Sequence, residues 1–291
     1  MSRDTHDTVT AVSPDDGLAY HHEPATRRLD IAGCAAEPVA LAAARIARDT
    51  ARGMLLRSGW TLLHASAVVR DDQTLLAFGS KGAGKTTTAL ALATRGWELL
   101  ANDRVFIRPD SAGQLNVLPW PAAAAIGLGL LDALGWYDTA RTRIKAGEQL
   151  HPTQHQRVTD ALLAGRRTPL WDKNGSRELK SQVFPDQFAA WFGLTLATGG
   201  QASTLLFPQI HPGAAPVAVD DQRTLADTDF MTGSTEDRYP DIFGLLKVDG
   251  GGSSEARTHI AGALAKLPHH SVVLGHDIAA NTDFLTRLLT S

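Results

Sequence analysis

The stretch Thr74-Leu75-Leu76-Ala77-Phe78-Gly79-Ser80-Lys81-Gly82-Ala83-Gly84-Lys85-Thr86 is an apolar run that passes directly into a glycine-rich loop. The apolar run is typical of a buried β-strand, and the Ala- and Leu-rich segment that follows has a helical pattern ending before Gly96. The loop matches the Walker A pattern G-x-x-x-x-G-K-[ST] and lies between strand and helix, as that pattern requires. Its glycines let backbone N–H groups surround phosphate oxygens at the positive end of the helix dipole. The sequence therefore predicts that this loop binds a nucleoside triphosphate.

The loop side chains have separate predicted roles. Lys85 is expected to contact the β- and γ-phosphates, and the Thr86 hydroxyl is expected to bind the Mg²⁺ ion that bridges them. ATP and Mg²⁺ are therefore the predicted cofactors. The predicted nucleotide-binding residues are Gly79, Ser80, Lys81, Gly82, Ala83, Gly84, Lys85, Thr86 and Thr87. The competing interpretation is a glycine-rich turn that contains Lys-Thr by chance, which the flanking strand and helix disfavour.

A magnesium site also needs a carboxylate at the end of a neighbouring strand. Asp103 follows the apolar run Leu99-Leu100-Ala101 and the polar Asn102, so it is the predicted protein ligand. Asn-Asp pairs also form turns, and an Asx turn between two strands is the alternative for Asp103.

His64 is predicted to stand in the middle of a strand that precedes the loop, in Leu62-Leu63-His64-Ala65-Ser66. Alternation along that strand places it on the face of Leu62 and Ser66. Two interpretations follow from this pattern: a hydrogen-bonded core histidine, which the pattern alone favours, or a histidine that faces the phosphate site.

Residues 60–110 resemble the C-terminal kinase domain of HPr kinase/phosphorylase. The resemblance lies in three stretches: Leu63-His64-Ala65-Ser66-Ala67-Val68, the loop with its flanks from Leu75 to Leu90, and Arg95-Gly96-Trp97-Glu98-Leu99-Leu100-Ala101-Asn102-Asp103-Arg104. In that family a histidine precedes the loop, and two adjacent aspartates follow on the next strand. The resemblance implies an α/β fold of the HPr kinase and phosphoenolpyruvate carboxykinase-like type, a mixed sheet with flanking helices. It also implies that His64 belongs to the site.

One departure from the family bears on catalysis. The first aspartate of the family pair is taken to act on the attacking hydroxyl, and Asn102 occupies that position here. An amide cannot accept that proton as a carboxylate does. The resemblance, with this departure, implies a catalytic set of His64, Lys85, Asn102 and Asp103.

The family resemblance also bears on the acceptor. The separate N-terminal domain of the bacterial enzyme and its downstream signature segment are not found in this sequence, so HPr itself is a poor candidate substrate. Shorter relatives of this kind resemble kinases that phosphorylate serine in biosynthetic precursor peptides or small metabolites. We therefore expect an ATP-dependent kinase that acts on the hydroxyl of a peptide or small molecule. The alternatives are a non-catalytic nucleotide-binding regulatory or scaffold protein, which Asn102 would allow, and a nucleoside triphosphatase coupled to movement.

Composition limits the remaining partners and the location. The 28 Lys and Arg residues are offset by 31 Asp and Glu and form no basic block, which argues against a nucleic-acid partner. Cys34 is the only cysteine, so no internal disulfide can form and a reducing, cytoplasmic setting is expected. The polar start of the chain and the glycines within Ala122–Leu134 argue against a signal peptide and a membrane span. A homo-oligomer is compatible with the sequence.

The rest of the chain is predicted more coarsely. Residues 1–38 are polar with little apolar periodicity and are expected to form a partly ordered arm before a kinase domain at 39–291. Helices are expected at 39–58 and 254–267, a hairpin at 61–69 and 74–78, and strands at 98–107, 114–118, 203–208, 242–248 and 271–274. Weaker signals are the His151 and His155 pair, the cationic loop 171–180 and the glycine-rich segment 249–254, for which surface, loop or helix-cap roles are favoured.

Overall fold

The computed structural model describes residues 2–3, 7–231, 243–245 and 251–290, and the chain forms two compact units. The first unit comprises Met1–Thr61 and Met231–Ala256, and the second comprises Leu62–Phe230 and Arg257–Ser291. The strands in chain order are β1 (Ser2–Arg3), β2 (Val9–Ser13), β3 (Leu18–Glu23), β4 (Arg28–Gly33), β5 (Thr61–Leu63), β6 (Ser66–Arg70), β7 (Gln73–Ala77), β8 (Glu98–Ala101), β9 (Val105–Pro109), β10 (Leu115–Pro119), β11 (Ala124–Ile126), β12 (Leu170–Trp171), β13 (Glu178–Leu179), β14 (Ser181–Val183), β15 (Gly200–Ile210), β16 (Val217–Val219) and β17 (His269–Leu274). The helices are α1 (Ala36–Arg57), α2 (Lys85–Ala93), α3 (Leu128–Ala133), α4 (Tyr137–Lys145), α5 (Gln156–Leu163), α6 (Pro185–Phe192), α7 (Ser254–Leu264) and α8 (Ile278–Thr290), with a 3₁₀ turn at Asp227–Asp229.

The first unit contains an antiparallel sheet in the order β1-β2-β3-β4. Alternate residues of β2 and β3 are buried, and Ala11, Leu18 and Tyr20 pack with Ala42 of α1. The sequence predicts a partly ordered arm over residues 1–38, whereas the described part of that segment folds into this sheet and the start of α1. The periodicity is weak in the sequence because the buried positions include small and polar residues, such as Ala11 and His22.

The second unit is organised around a mixed sheet in the order β5-β9-β10-β15-β7-β6-β8. Strand β15 is parallel to β7 and to β17, whereas β6 with β7, β6 with β8, and β9 with β10 are antiparallel pairs. Helices flank the sheet, so the predicted mixed α/β architecture is confirmed.

Strand β7 lies inside this sheet and is buried on both faces. Leu75 and Ala77 pack in one cluster with α2 and α8, and Leu76 packs in the other cluster with α7. Successive side chains of a strand point to opposite faces, so the apolar run that precedes the loop fills both layers of the core. The loop therefore starts from a strand that is packed on both faces.

Two of the predicted strands are interrupted in the structure. The strand expected at 61–69 breaks at His64 and Ala65, because the His64 N–H donates to the Asp229 carbonyl, 2.9 Å, and not to a neighbouring strand. The prediction that His64 lies in mid-strand is therefore wrong. The strand expected at 98–107 breaks at 102–104, because β8 pairs with β6 while β9 pairs with β10. Both interruptions lie where the predicted site residues are.

Other elements agree more closely with the sequence patterns. Helices α1 and α7 and strands β10, β15 and β17 overlap the predicted segments, whereas α4, α6 and α8 were not predicted. The strand expected at 242–248 lies mostly outside the described residues. Within the described part of the chain, each helix is either too short or too polar to cross a lipid bilayer.

Candidate nucleotide site

The glycine-rich loop joins the end of β7 to the first residue of α2. Ser80, Lys81 and Gly82 are exposed at its tip, whereas Gly79 is buried at its base. Inside the loop the Ala83 N–H donates to the Ser80 carbonyl, 3.1 Å. The loop is therefore anchored at one end and open to solvent at its tip, as a phosphate-binding loop must be.

Two glycines of the loop are required by its geometry. Gly79 has a φ of 151°, and a Cβ on it would lie 2.7 Å from the Cβ of Ala83. Gly84 has a φ of 104°, and a Cβ on it would lie 2.8 Å from the side chain of Ile210 at the end of β15. Side chains rarely fit such angles and distances, so the loop curvature depends on glycine at both positions.

Lys85 begins α2 and is almost fully buried. Its amino group donates to the carbonyl of Gly79, 2.6 Å, and to that of Ser80, 3.4 Å, so it lies across the inside of the loop. Burial lowers the pKa of Lys85, while the carboxylates of Asp103 and Asp229 act in the opposite direction. A poorly hydrated cation at the base of an open loop is well placed to attract a phosphate group.

Thr86 and Thr87 occupy the first turn of α2, and both are half-buried. The Thr86 hydroxyl donates to the backbone carbonyl of Asn102, 3.1 Å, and the Ser66 hydroxyl donates to the same carbonyl, 2.5 Å. These bonds tie the helix start, β6 and the segment after β8 together. A hydroxyl that donates to a carbonyl keeps its lone pairs available for a cation.

Asp103 is held by two basic side chains. His64 Nε2 lies 3.3 Å from Asp103 Oδ1, and Arg104 Nε lies 3.2 Å from Asp103 Oδ2. Burial raises the pKa of the Asp103 carboxyl, but the hydrogen bond from His64 and the charges of Arg104 and Lys85 outweigh it and lower the pKa overall. Asp103 is therefore ionised at neutral pH. An ionised carboxylate offers about four acceptor positions, so it has capacity for a metal ion beside these two contacts.

The structure thus brings Lys85, Thr86, Asn102, Asp103 and His64 together at one end of the central strands. His64 was predicted as either a core histidine or a site residue. Its ring is half-buried, and Nε2 lies beside Asp103, the predicted metal ligand. The donor set of one hydroxyl and one carboxylate beside a loop of backbone N–H groups fits a magnesium-bound triphosphate.

Two residues near the loop were missed in the sequence. Asp229 is 1% exposed, and its charge acts on Lys85. Arg223 pairs with Asp229, with Nη2 3.4 Å from Oδ1, and its Nη1 lies 3.6 Å from the position that a Cβ on Gly79 would occupy. Both are distant from the loop in the sequence and belong to a polar segment that has the composition of a surface loop, so no local pattern indicates them.

The weaker signals are explained by local structure. His155 Nδ1 accepts from the Arg157 N–H, 3.2 Å, and caps α5, and His151 Nδ1 is 2.8 Å from the Thr153 hydroxyl. In the cationic loop, Asp172 accepts the backbone N–H groups of Asn174 and Ser176 and so organises a turn.

The glycine-rich segment 249–254 is described only from residue 251 onward. Its Ser253 hydroxyl oxygen accepts the Ala256 N–H, 3.1 Å, which confirms the predicted cap of α7.

No protein-family model matches this chain, and no curated protein matches it. Among solved structures, the chain is similar to the Hpr(Ser) kinase/phosphatase from Coxiella burnetii, with 12% identity and a TM-score of 0.32, over 79% of this chain and 92% of that chain.

Proposed function

We propose that this protein is an ATP-dependent kinase that transfers the γ-phosphoryl group to a hydroxyl of a peptide or small metabolite. The observation that carries the proposal is the meeting of an open glycine loop, a buried lysine and a His64–Asp103 pair at one end of the sheet. The fold proposed for the second unit is that of an HPr kinase-like phosphate-loop domain. This assignment rests on the order of strand, loop and helix together with the residues that surround the loop.

Nucleotide binding is assigned to the loop and to the start of α2. The backbone N–H groups from Ser80 to Thr87 and the α2 terminus would hold the phosphates, and Lys85 would neutralise the charge on the β- and γ-groups. Thr86 and Asp103 would hold Mg²⁺, which supplies charge neutralisation on the transferring group. The hydrogen bond between Thr86 and Asn102 keeps these two ligands in neighbouring positions.

Acceptor activation is assigned to His64. When His64 Nε2–H donates to Asp103, the neutral ring has Nδ1 as its proton acceptor. A carboxylate that orients a histidine also stabilises the imidazolium that forms when the ring takes a proton. His64 can thus take the hydroxyl proton that Asn102 cannot accept. Phosphoryl transfer passes through a loose transition state, so positioning and charge outweigh basicity, and a modest base is sufficient.

The experiment that tests the proposal is mass spectrometry of cell extracts incubated with the protein and γ-labelled ATP. A kinase transfers the label to an organic hydroxyl compound, and that product identifies the acceptor. Label found only as inorganic phosphate would indicate a hydrolase. No loss of label from ATP in any extract would instead support a nucleotide-binding regulatory protein.

A further inference from the structure

A second cation lies beside the glycine loop. Arg223 Nη1 lies 3.6 Å from the position that a Cβ on Gly79 would occupy. Lys85 donates to the carbonyl of the same glycine, and the Arg223 charge is close enough to act on the pKa of Lys85. Two cations therefore converge on the start of the loop from different elements, one from α2 and one from the segment after β16.

Arg223 is held in place from two sides. Its guanidinium carbon lies 4.5 Å from the ring centre of Phe207 in β15, a buried aromatic residue. Asp229 Oδ1 contacts Nη2 of Arg223, while Asp229 Oδ2 accepts a hydrogen bond from the Ala226 N–H, 2.9 Å. Stacking on Phe207 and pairing with Asp229 already restrict the Arg223 side chain. It therefore loses less conformational entropy when it binds a ligand.

A purely structural role would be to neutralise the buried Asp229. An arginine that serves only to pair with a carboxylate commonly makes two parallel hydrogen bonds in a fork. Here Nη2 lies 3.4 Å from Asp229 Oδ1, whereas Nη1 lies 3.6 Å from the position that a Cβ on Gly79 would occupy, and the side chain is 25% exposed. The geometry leaves one edge of the guanidinium facing the loop, which favours a ligand role over simple neutralisation.

We propose that Arg223 binds the terminal phosphate of the nucleotide held by the loop, and that Asp229 and Phe207 position it. The proposal rests on the proposed function, because it requires a triphosphate in this loop. During transfer the bond from the γ-phosphorus to the bridging oxygen of ADP breaks, and a bond to the acceptor oxygen forms. Arg223 gives up no proton. It neutralises charge on the non-bridging γ-oxygens, in the manner of an arginine finger supplied by the same chain.

The test compares ATP and ADP binding by calorimetry in Mg²⁺ for wild type, Arg223→Gln and Arg223→Ala. Only ATP carries the terminal phosphate, so each variant should lose at least about tenfold in ATP affinity. Affinity for ADP should change by less than about twofold, which also shows that the loop is still folded. Asp229→Asn should also lower the affinity for ATP more than the affinity for ADP, but by a smaller factor, because it removes the charge that orients Arg223.

Arg70→Gln is the matched control. Arg70 also stacks on an aromatic ring, 5.8 Å from the centre of Trp97, but it pairs with Gln73 at the end of β7 remote from the loop. The Arg70→Gln variant should bind ATP and ADP with the affinities of wild type. Equal losses of ATP and ADP affinity in Arg223→Gln, or no loss at all, would overturn the inference and leave the proposed function standing. Failure of the wild type to bind either nucleotide would overturn both.

Discussion

At the level of single residues, Asp103 lies between two basic side chains. His64 and Arg104 each approach one of its oxygens, and the positive charge of Lys85 is also close enough to act on it. A carboxylate in such surroundings stays ionised at neutral pH, which a metal ligand requires. Two predictions concern this carboxylate.

The first prediction is that Asp103→Asn weakens ATP binding much more in the presence of Mg²⁺ than in its absence. Only the metal complex would use the carboxylate, because in the proposed function the loop would bind the phosphates through its N–H groups. Calorimetry with Mg²⁺ and with a chelator measures both affinities. Equal losses of ATP affinity with and without Mg²⁺ would indicate that Asp103 is a turn residue and not a metal ligand.

The second prediction concerns stability in acid. Because its folded pKa is lowered, ionised Asp103 stabilises the folded protein above the ordinary carboxyl value, about 3.8. This stabilisation is lost as the pH falls through the lowered folded pKa. Melting curves should therefore show a weaker loss of stability below about pH 4 for Asp103→Asn than for wild type. If wild type and Asp103→Asn lost stability equally as the pH falls, the lowered pKa of Asp103 in the folded protein would be contradicted.

The third prediction is that His64→Gln slows phosphoryl transfer at least about tenfold with nucleotide affinity unchanged, because general-base assistance is typically worth more than that. Asn102→Asp should increase the rate or permit the reverse reaction, in which phosphate must be activated as a nucleophile. Wild type is expected to act in one direction. Rates on an identified acceptor measure both effects, and undiminished transfer by His64→Gln would falsify the role given to that histidine.

At the scale of elements, β7, the loop and α2 are consecutive, and the end of the loop lies close to β15. A Cβ on Gly84 would lie 2.8 Å from Ile210, so the start of α2 leaves no room for a side chain there, and the base of the loop at Gly79 is buried. The sequence predicts this strand, loop and helix because each has a strong local signal: an apolar run, a glycine pattern and an Ala-Leu helix. It does not predict the breaks at His64 and at residues 102–104, because those depend on which strands pair across the sheet.

The fourth prediction tests this close approach of Gly84 to Ile210. Gly84→Ala forces a left-handed φ on alanine, roughly 1–2 kcal/mol, and also places a methyl group 2.8 Å from Ile210. Gly82→Ala is the control, since Gly82 has a φ of 88° but no heavy atom within 4 Å of its Cβ position. Gly84→Ala should therefore lose more stability and ATP affinity than Gly82→Ala.

Adding Ile210→Ala to Gly84→Ala should recover part of the loss, because it removes the clash and leaves only the backbone strain. Thermal melting and calorimetry on the single and double variants measure this coupling. Equal effects of the two glycine substitutions, without recovery in the double variant, would show that the contact with Ile210 is unimportant.

At the scale of the whole molecule, the sequence predicts the local parts better than their assembly. Lys85, Thr86 and Asp103 belong to motifs of a few residues, and the structure brings them together as those motifs suggest. Arg223 and Asp229 reach the same place only through the long connection between β15 and the 3₁₀ turn. Such contacts depend on chain topology, which a single sequence does not display. The sheet of the first unit was missed for a different reason, because its buried positions mix apolar residues with the small Ala11 and the polar His22, which weakens the periodic pattern.

The role of the loop is decided by the rate of phosphoryl transfer from labelled ATP in wild type, Lys85→Ala and Thr86→Ala. The claim is that the loop holds the triphosphate and Mg²⁺ for transfer, so each variant loses one preorganised contact with the transferring group. Each should be slower by about 10²–10³-fold, or roughly 3–4 kcal/mol in the activation barrier. Transfer by Lys85→Ala at the wild-type rate would contradict the account.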